Sequence, residues 1–250
     1  MSETVIKVKN LNIAYDENVI MHDINFEVKE QDIFMIMGGS GCGKSSLLKV
    51  LIGLKYPAKG QVFIQGADFY KSNDKSRKKI MQNCGVLYQN GALFSSMTVG
   101  ENIALPLQQY TSYSPSAIDE LVELKLALVG LHGYKTFYPD ELSGGMKKRA
   151  ALARAMALDP EILYFDEPSS GLDPVSSRLL DELILELNAN LKTTIVIISH
   201  DIDSILTIGS QAIYLDAATK TLAAQGNPKT WLKNPPTSAI ADFFKRRTEV

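Results

Sequence analysis

Residues 38–46 read GGSGCGKSS and follow an apolar run at residues 33–37 that reads IFMIM. Glycines leave backbone N–H groups free to surround a polyphosphate, while the lysine reaches the outer phosphates and the next hydroxyl can bind Mg²⁺. Leucines at helical spacing predict a helix over residues 44–54. Its amino end adds free N–H groups and partial positive charge beneath the phosphates. The stretch therefore predicts a phosphate loop between a buried strand and a helix.

The phosphate loop, residues 38–46, supplies most of the expected nucleotide contacts. A Gly-rich stretch can also be a flexible turn, but the strand before it and the amphipathic helix after it favour a nucleotide site. Lys44 is expected at the outer phosphates and Ser45 at Mg²⁺. The expected contacts are Gly38, Gly39, Ser40, Gly41, Cys42, Gly43, Lys44, Ser45 and Ser46.

Length, net charge and cysteine content limit the possible classes of protein. The chain has 250 residues, enough for one large domain with an inserted lobe, and its 26 basic and 28 acidic residues give a net charge of −2. No broad basic field is available for nucleic acid, and the basic run at residues 75–79 is more simply a solvated helix face. Two cysteines with no metal-ligand spacing fit a reducing cytosol. We expect no signal peptide, and no apolar run nears the roughly 18 residues that span a bilayer.

Strand patterns predict an α/β fold with a mixed sheet core and an antiparallel β layer. The layer is expected from short strands at residues 4–9, 12–14, 24–28 and 61–65. Continuous apolar runs joined through a helix predict parallel strands buried on both faces. These runs lie at residues 84–88, 162–165 and 194–198, with the helix at 175–188 between the last two, and edge strands are expected at 211–215 and 222–224.

Helical patterns predict an inserted lobe and a tail. Apolar spacing at residues 116–131 and 150–158 indicates a lobe, residues 90–158, between the two parts of a nucleotide-binding core, residues 1–89 and 159–230. The tail, residues 231–250, carries an apolar stripe ahead of Lys245, Arg246 and Arg247. It is either a helix packed on its own domain or a docking helix for a partner subunit.

Two acidic residues follow the run at residues 162–165. Asp166, at the end of a strand beside a phosphate loop, is placed to hold Mg²⁺ through water, and Glu167 can activate a water for attack on the γ-phosphate. Paired acids are common on surfaces, but the four apolar residues before them and the upstream loop favour a catalytic role.

A second anion-binding helix start is predicted at LSGGM, residues 142–146. Ser143, Gly144 and Gly145, named here the signature nest, expose backbone N–H groups. One nucleotide site needs one phosphate loop, so we expect the signature nest to complete the site of another copy in a head-to-tail homodimer.

These motifs, in this order, resemble those of the ATP-binding subunits of ABC transporters over nearly the whole chain. The phosphate loop resembles Walker A, residues 162–167 resemble Walker B, and LSGGM resembles the signature LSGGQ. The resemblance implies a P-loop NTPase fold of the ABC type, one ABC ATPase domain and a requirement for ATP and Mg²⁺. The residues it implies are Glu167, His200 and Gln89 for catalysis, Ser45, Gln89 and Asp166 for the metal, Tyr15 for stacking on adenine, and the signature nest with Asp173 for nucleotide contacts.

Each implied role also has a plainer alternative. Tyr15 offers a flat π face to a base, yet a Tyr after a strand is often a packing residue. Gln89 can contact both the metal region and a moving lobe, or be a polar strand end. His200 follows a strand on the ligand side of such folds and can hydrogen-bond the γ-phosphate and Glu167. Met146 replaces the usual Gln of the signature, but because the signature nest is retained we expect ATP to be sandwiched between two copies.

The segment at residues 90–107, NGALFSSMTVGENIALPL, together with LSGGM resembles the ATPases of Mce-type lipid transporters, which include the bacterial Mla phospholipid system. That resemblance implies a peripheral protein at the cytoplasmic face of the inner membrane that powers phospholipid transport between the inner and outer membranes. Implied partners are an inner-membrane permease, a periplasmic Mce-domain lipid-binding protein and a small cytoplasmic accessory subunit. The expected docking residues are Ala92, Leu93, Phe94 and Met97, although Leu93 or Phe94 could instead pack the lobe onto the core.

Other functions stay open. The chain could serve an ABC importer or exporter for another substrate, because substrate choice lies in the membrane subunits. A soluble ABC-type ATPase acting on DNA or ribosomes usually carries a long coiled coil or two cassettes, and this sequence has neither. A nucleotide-gated subunit without turnover is disfavoured by Glu167 and His200.

Overall fold

Two sheets form the framework of the computed structural model, which describes residues 3–245. The strands are β1 (Thr4–Tyr15), β2 (Asn18–Lys29), β3 (Ile33–Gly38), β4 (Lys59–Ile64), β5 (Ala67–Asp68), β6 (Cys84–Leu87), β7 (Ile162–Asp166), β8 (Thr194–Ile198), β9 (Gln211–Asp216) and β10 (Thr221–Gly226). The helices are α1 (Lys44–Leu51), α2 (Asp74–Gln82), α3 (Val99–Tyr110), α4 (Pro115–Leu128), α5 (Gly144–Ala155), α6 (Pro174–Leu191), α7 (Ile202–Ile208), α8 (Pro228–Trp231) and α9 (Ser238–Lys245).

The first sheet is antiparallel and has the order β2-β1-β4-β5. It confirms the predicted antiparallel layer, but residues 12–14 continue β1 rather than forming a strand of their own. The register of β1 against β2 shifts between Val8 and Leu11 and again near Ile13. These irregularities interrupt the alternation that would otherwise have revealed one long strand.

The second sheet is mixed and has the order β10-β9-β3-β8-β7-β6. Strands β6, β7, β8, β3 and β9 are parallel, and β10 runs antiparallel at the edge. Every residue of β3 and β8 is buried, so the predicted parallel, doubly covered strands are confirmed. The expectation that residues 211–215 form an edge strand is wrong, because β9 lies between β3 and β10. The buried apolar run of β9 was a sign of a central strand.

Helices α3, α4 and α5 lie between β6 and β7 in the chain and share a core with one face of the mixed sheet. Thr98 starts α3 with a capping box, in which its hydroxyl accepts from the Glu101 N–H and the Glu101 carboxylate accepts from the Thr98 N–H. The predicted helices at 116–131 and 150–158 correspond to α4 and to the second half of α5. The helix predicted over 44–54 ends earlier, at Leu51. No helix within residues 3–245 has the length and apolarity needed to cross a membrane.

The tail helix α9 packs against its own domain. Ile240, Phe243 and Phe244 are buried, and the Phe243 ring meets the Tyr214 ring edge-on at 5.7 Å between centroids. Of the two interpretations of the tail, the structure therefore shows the helix packed on its own domain. Arg246 and Arg247 lie outside the described residues. The basic run at residues 75–79 belongs to α2, which has no buried residue, as expected of a solvated helix.

Candidate functional site

The phosphate loop connects β3 to α1 through backbone conformations that favour glycine. Gly38 has φ 151° and Gly43 has φ 99°. A Cβ at Gly38 would lie 2.5 Å from the Leu215 carbonyl oxygen, and one at Gly43 would lie 2.9 Å from Ile20 Cγ2. Both positions therefore need glycine for space as well as for φ. Strands β2 and β9 thus pack closely against the loop.

Lys44 begins α1 and turns its ammonium back over the loop. Its Nζ donates to the carbonyl oxygens of Gly38 and Gly39, at 2.9 Å each, and lies 3.9 Å from the Cys42 Sγ. The side chain is nearly buried, with 9% exposed. A fixed cation thus lies at the base of a loop of backbone N–H donors.

Asp166 ends β7 and Glu167 follows it with φ 48°. This left-handed conformation is uncommon for a residue with a side chain and recurs at functional sites. The Glu167 N–H donates to the Ile198 carbonyl at 2.9 Å, which ties the turn to β8. Burial and the adjacent Glu167 carboxylate both raise the pKa of Asp166.

Glu167 is the centre of a hydrogen-bonded group. Its Oε1 lies 3.1 Å from the Nδ1 of His200, and its Oε2 accepts from the Gln89 amide at 3.1 Å. The same amide lies 3.3 Å from the Ser170 hydroxyl. These residues come from the ends of β6, β7 and β8, where parallel strands deliver their carboxyl ends to one edge of the sheet.

A cleft of about 850 Å³ joins the phosphate loop to the catalytic candidates. It is lined by Ile20, Gly38, Gly39, Ser40, Gly41, Gly43, Lys44, Ser45, Ser46, Glu167, His200, Asp201, Ile202, Asp203 and Phe243. The structure therefore brings the loop, Glu167 and His200 together. Buried Cys42, exposed Gln89 and Asp166 are not among the lining residues.

Tyr15 lies at the margin of the loop. Its hydroxyl is 3.4 Å from the Ser46 hydroxyl, and 42% of the residue is exposed. The Lys55 ammonium lies 3.8 Å from the Tyr15 ring centroid, a cation–π contact that covers one face of the ring. A base could stack on the other face.

The signature nest lies away from this cleft. Ser143 caps α5 by accepting from the Met146 N–H at 3.3 Å, and neither it nor Gly144 and Gly145 line the cleft of the described chain. Asp173 caps α6: it accepts from the Ser176 hydroxyl at 2.5 Å and from the Ser176 and Val175 N–H groups at 3.0 Å each, and these bonds lower its pKa. Within one copy, the nest and Asp173 are thus separate from the phosphate loop.

The residues expected to dock a partner differ in their exposure. Leu93 packs against the core, whereas Phe94 is 51% exposed. The buried Asn102 holds this turn, accepting from the Phe94 N–H at 2.8 Å and donating to the Phe94 carbonyl at 3.1 Å. Arg154 donates to the carbonyls of Gly91 and Ala92 at 3.0 and 2.7 Å.

Some residues at the site were missed from sequence. Phe243 reaches the cleft from α9, about 200 positions from the loop, and no local pattern signals such a contact. Lys148, on α5, donates to the Gln89 carbonyl. The basic run KKR at residues 147–149 is typical of a solvent-exposed helix face and gives no sign of this contact. Asp201 could have been found, because an Asp just before an apolar helical pattern is a preferred N-cap.

Three features define a P-loop ATPase cassette: a glycine-rich phosphate loop after β3, two carboxylates at the end of β7 in the same sheet, and a helical lobe between β6 and β7 in the chain. The chain belongs to the ABC transporter family, because the sequence model of that family matches residues 21–170. ATP binding and ATP hydrolysis are the activities of this class.

Similar proteins carry more specific names. The Haemophilus influenzae "Intermembrane phospholipid transport system ATP-binding protein MlaF" is 40% identical over 223 residues, covering 89% of this chain and 84% of that protein. The Mycobacterium leprae "Probable ribonucleotide transport ATP-binding protein mkl" is 42% identical over 203 residues, covering 81% of this chain and 58% of that protein. A solved dimer of the ATP-binding cassette MJ0796, in a post-hydrolysis state bound to ADP and Pi, superposes with a TM-score of 0.80 at 28% identity, over 89% of this chain and 98% of that chain.

Proposed function

We propose that this chain hydrolyses ATP with Glu167 as general base. The observation that carries the proposal is the Gln89–Glu167–His200 group at the edge of the phosphate-loop cleft. Glu167 takes a proton from the attacking water while the new P–O bond forms and the bond from the γ-phosphorus to the β–γ bridging oxygen breaks. Each carboxylate oxygen keeps a lone pair for this proton, since each accepts one hydrogen bond.

His200 and Lys44 have separate tasks in this proposal. A neutral imidazole donates from one ring nitrogen and accepts at the other, so donation from Nδ1 to Glu167 orients the carboxylate. Lys44 has three donor protons, of which two are directed at the Gly38 and Gly39 carbonyls. The third is directed at the Cys42 Sγ, 3.9 Å away, and a phosphate oxygen would replace this weak acceptor.

Mg²⁺ fits the donor set of this site. The Ser45 hydroxyl, the Asp166 carboxylate and the Gln89 amide oxygen are hard ligands of the kind Mg²⁺ prefers. Burial and, second, the Glu167 carboxylate raise the pKa of Asp166, and a nearby divalent cation would favour its ionised form. When bound, Mg²⁺ neutralises charge on the phosphate oxygens.

Two copies are proposed to share two nucleotides. The signature nest offers backbone N–H groups but lies outside the cleft of its own chain, and the solved MJ0796 cassette is dimeric. In a head-to-tail dimer the nest of one copy, with Asp173 nearby, would close over ATP held by the phosphate loop and Tyr15 of the other. Closure would follow ATP binding, and loss of phosphate would reopen the dimer.

Gly144→Asp tests the shared site. A Cβ at Gly144 would meet only Leu172 Cδ2, at 3.7 Å, so the side chain fits the fold but brings a carboxylate to the nest. We expect the variant to bind ATP at its own phosphate loop, to lose ATP-dependent dimerisation and to lose at least about 10²-fold in turnover, as when one stabilising donor group is lost. Analytical ultracentrifugation with ATP and an ATPase assay measure both effects.

Gly144→Ala is the matched comparison for that variant. It adds the same Cβ without charge and separates crowding from electrostatic repulsion. ATP-dependent dimerisation of Gly144→Asp at the wild-type level would contradict a nucleotide contact at the nest.

We also propose that ATP hydrolysis by this chain powers phospholipid transport. The support is the 40% identity to a MlaF protein over most of both chains, together with the exposed Phe94 on a turn next to Gln89. In this proposal the chain is peripheral at the cytoplasmic face of the inner membrane. The docking residues contact a permease, and the complex also holds a periplasmic Mce-domain protein and a small cytoplasmic accessory subunit.

Co-purification tests the transport class. We expect the tagged chain, isolated from gently solubilised membranes of its own organism, to bring down a permease and an Mce-domain protein that mass spectrometry identifies.

Phe94→Asp should reduce the amount of permease that co-purifies while leaving ATP binding intact, because it places a charge on the exposed docking surface but not in the cleft.

The second candidate is an ABC transporter of another substrate, and the similarity to a protein named for ribonucleotide transport favours it. Recovery of a permease with a solute-binding protein, and no Mce-domain protein, would select this candidate and reject phospholipid. The proposed ATPase chemistry is common to both.

A further inference from the structure

Lys148 is a buried cation on α5 that has no place in the chemistry above. It is 7% exposed, and its ammonium donates to the backbone carbonyl of Gln89. Burial lowers its pKa, while Glu167 and Asp166 oppose that shift, so the ammonium lies within electrostatic reach of both carboxylates. A buried charge needs a partner to be tolerated, and here the partner is the residue that contacts Glu167.

The contacts of Lys148 form a continuous path between two parts of the molecule. At one end, Ser143 caps α5, which begins at Gly144, so the helix carries the signature nest at its start and Lys148 in its second turn. At the other end, the Gln89 amide donates to Glu167 Oε2 at 3.1 Å and lies 3.3 Å from the Ser170 hydroxyl. Arg154, later on the same helix, donates to the carbonyls of Gly91 and Ala92.

We propose that Lys148 is a positioning residue for ATP hydrolysis, which fixes the backbone of Gln89 to the helix that begins at the signature nest and so places the Gln89 amide on Glu167. This proposal rests on the proposed function, in which Glu167 is the base and the nest contacts ATP of the other copy. A shift of α5 on nucleotide contact then moves the Gln89 carbonyl directly. Lys148 thereby couples the contact between the signature nest and ATP of the other copy to the position of Glu167 in its own copy.

Lys148→Met tests the proposal in the full chain. A misplacement of about 1 Å at a reacting group can lower turnover about 10²-fold, so we expect kcat to fall about tenfold when one tether is lost. KM for ATP should stay within about twofold, because the phosphate loop is untouched. Lys148→Arg, which keeps a charged donor, should recover at least half of the wild-type kcat.

The matched control is Lys147→Met, one residue earlier on the same helix. Lys147 is exposed at its side chain and lies 3.5 Å from the Asp140 carboxylate, so its loss should leave kcat and KM unchanged. If Lys148→Met does not fold, Lys148→Gln replaces it, because a neutral donor fits the same space. Its kcat should be at least threefold below that of Lys148→Arg, since charged hydrogen bonds are about twice as strong as neutral ones.

A double-mutant cycle with Gln89→Ala separates positioning from a direct effect of charge. Without the Gln89 amide there is nothing for Lys148 to position, so Lys148→Met should lower kcat by less than twofold in the Gln89→Ala background. An equal fall in both backgrounds, or wild-type kcat in Lys148→Met, would overturn the inference. If Glu167→Gln keeps full ATPase activity, the proposed function fails, whatever Lys148 does.

Discussion

Glu167→Gln is expected to lower the ATPase kcat by about 10²- to 10⁴-fold, the usual contribution of a general base. Glutamine keeps the size of the side chain and can still accept from the Gln89 amide at one oxygen, but it cannot take a proton from water. The affinity for ATP should remain near that of the wild type, because the phosphate loop is unchanged. Steady-state phosphate release and equilibrium binding of ATP measure the two quantities.

Glu161→Gln is the matched control for that variant. Glu161 is exposed and immediately precedes β7, whereas Glu167 immediately follows it, so the control makes the same substitution at the opposite end of the strand. Its kcat should equal that of the wild type. A kcat for Glu167→Gln within twofold of wild type would remove Glu167 from the role of base, and His200 would then be the next candidate.

Lys44→Ala is expected to weaken ATP binding about 10- to 150-fold. A hydrogen bond to a charged group contributes about 1.5–3 kcal/mol, and about 1.4 kcal/mol corresponds to a factor of ten in affinity. Alanine also removes the two bonds that hold the Gly38 and Gly39 carbonyls, so kcat should fall with affinity. Titration with a fluorescent ATP analogue measures the binding.

Lys75→Ala controls for the loss of a lysine from the surface. Lys75 is exposed on α2 and should be replaceable without effect on ATP binding. Thermal unfolding of Lys44→Ala without nucleotide shows whether the loop bonds contribute to stability separately. Wild-type ATP affinity in Lys44→Ala would contradict the assignment of residues 38–46 as the phosphate loop.

The parts of the site that were predictable from sequence are those that one local pattern encodes. The phosphate loop carries its glycines, Lys44 and Ser45 within nine positions, and its flanking strand and helix were visible from apolar spacing. Asp166 and Glu167 follow a short buried run in the same way. The antiparallel layer and the parallel strands were also predictable, because alternating and continuous apolar patterns distinguish them.

No local sequence pattern predicts the order of the strands or several of the contacts at the site. The position of β9 beside β3 depends on which strands pair, and the sequence of a buried apolar strand does not identify its partner strands. Phe243 reaches the cleft beside the phosphate loop, and Lys55 covers a face of Tyr15, only because distant segments pack together. Lys148 was not singled out from the sequence, because only the packing of α5 against the turn after β6 brings it to the Gln89 carbonyl.

By itself, the sequence determined the class of this protein and its chemical groups, because phosphate binding needs particular residues at short, fixed spacing. The tertiary structure alone decided how those groups are joined. The carboxyl ends of β6, β7 and β8 bring Gln89, Glu167 and His200 within hydrogen-bond distance, and α5 connects that group to the signature nest. The physical reason is that hydrogen bonds act over about 3 Å in space, whatever the separation along the chain.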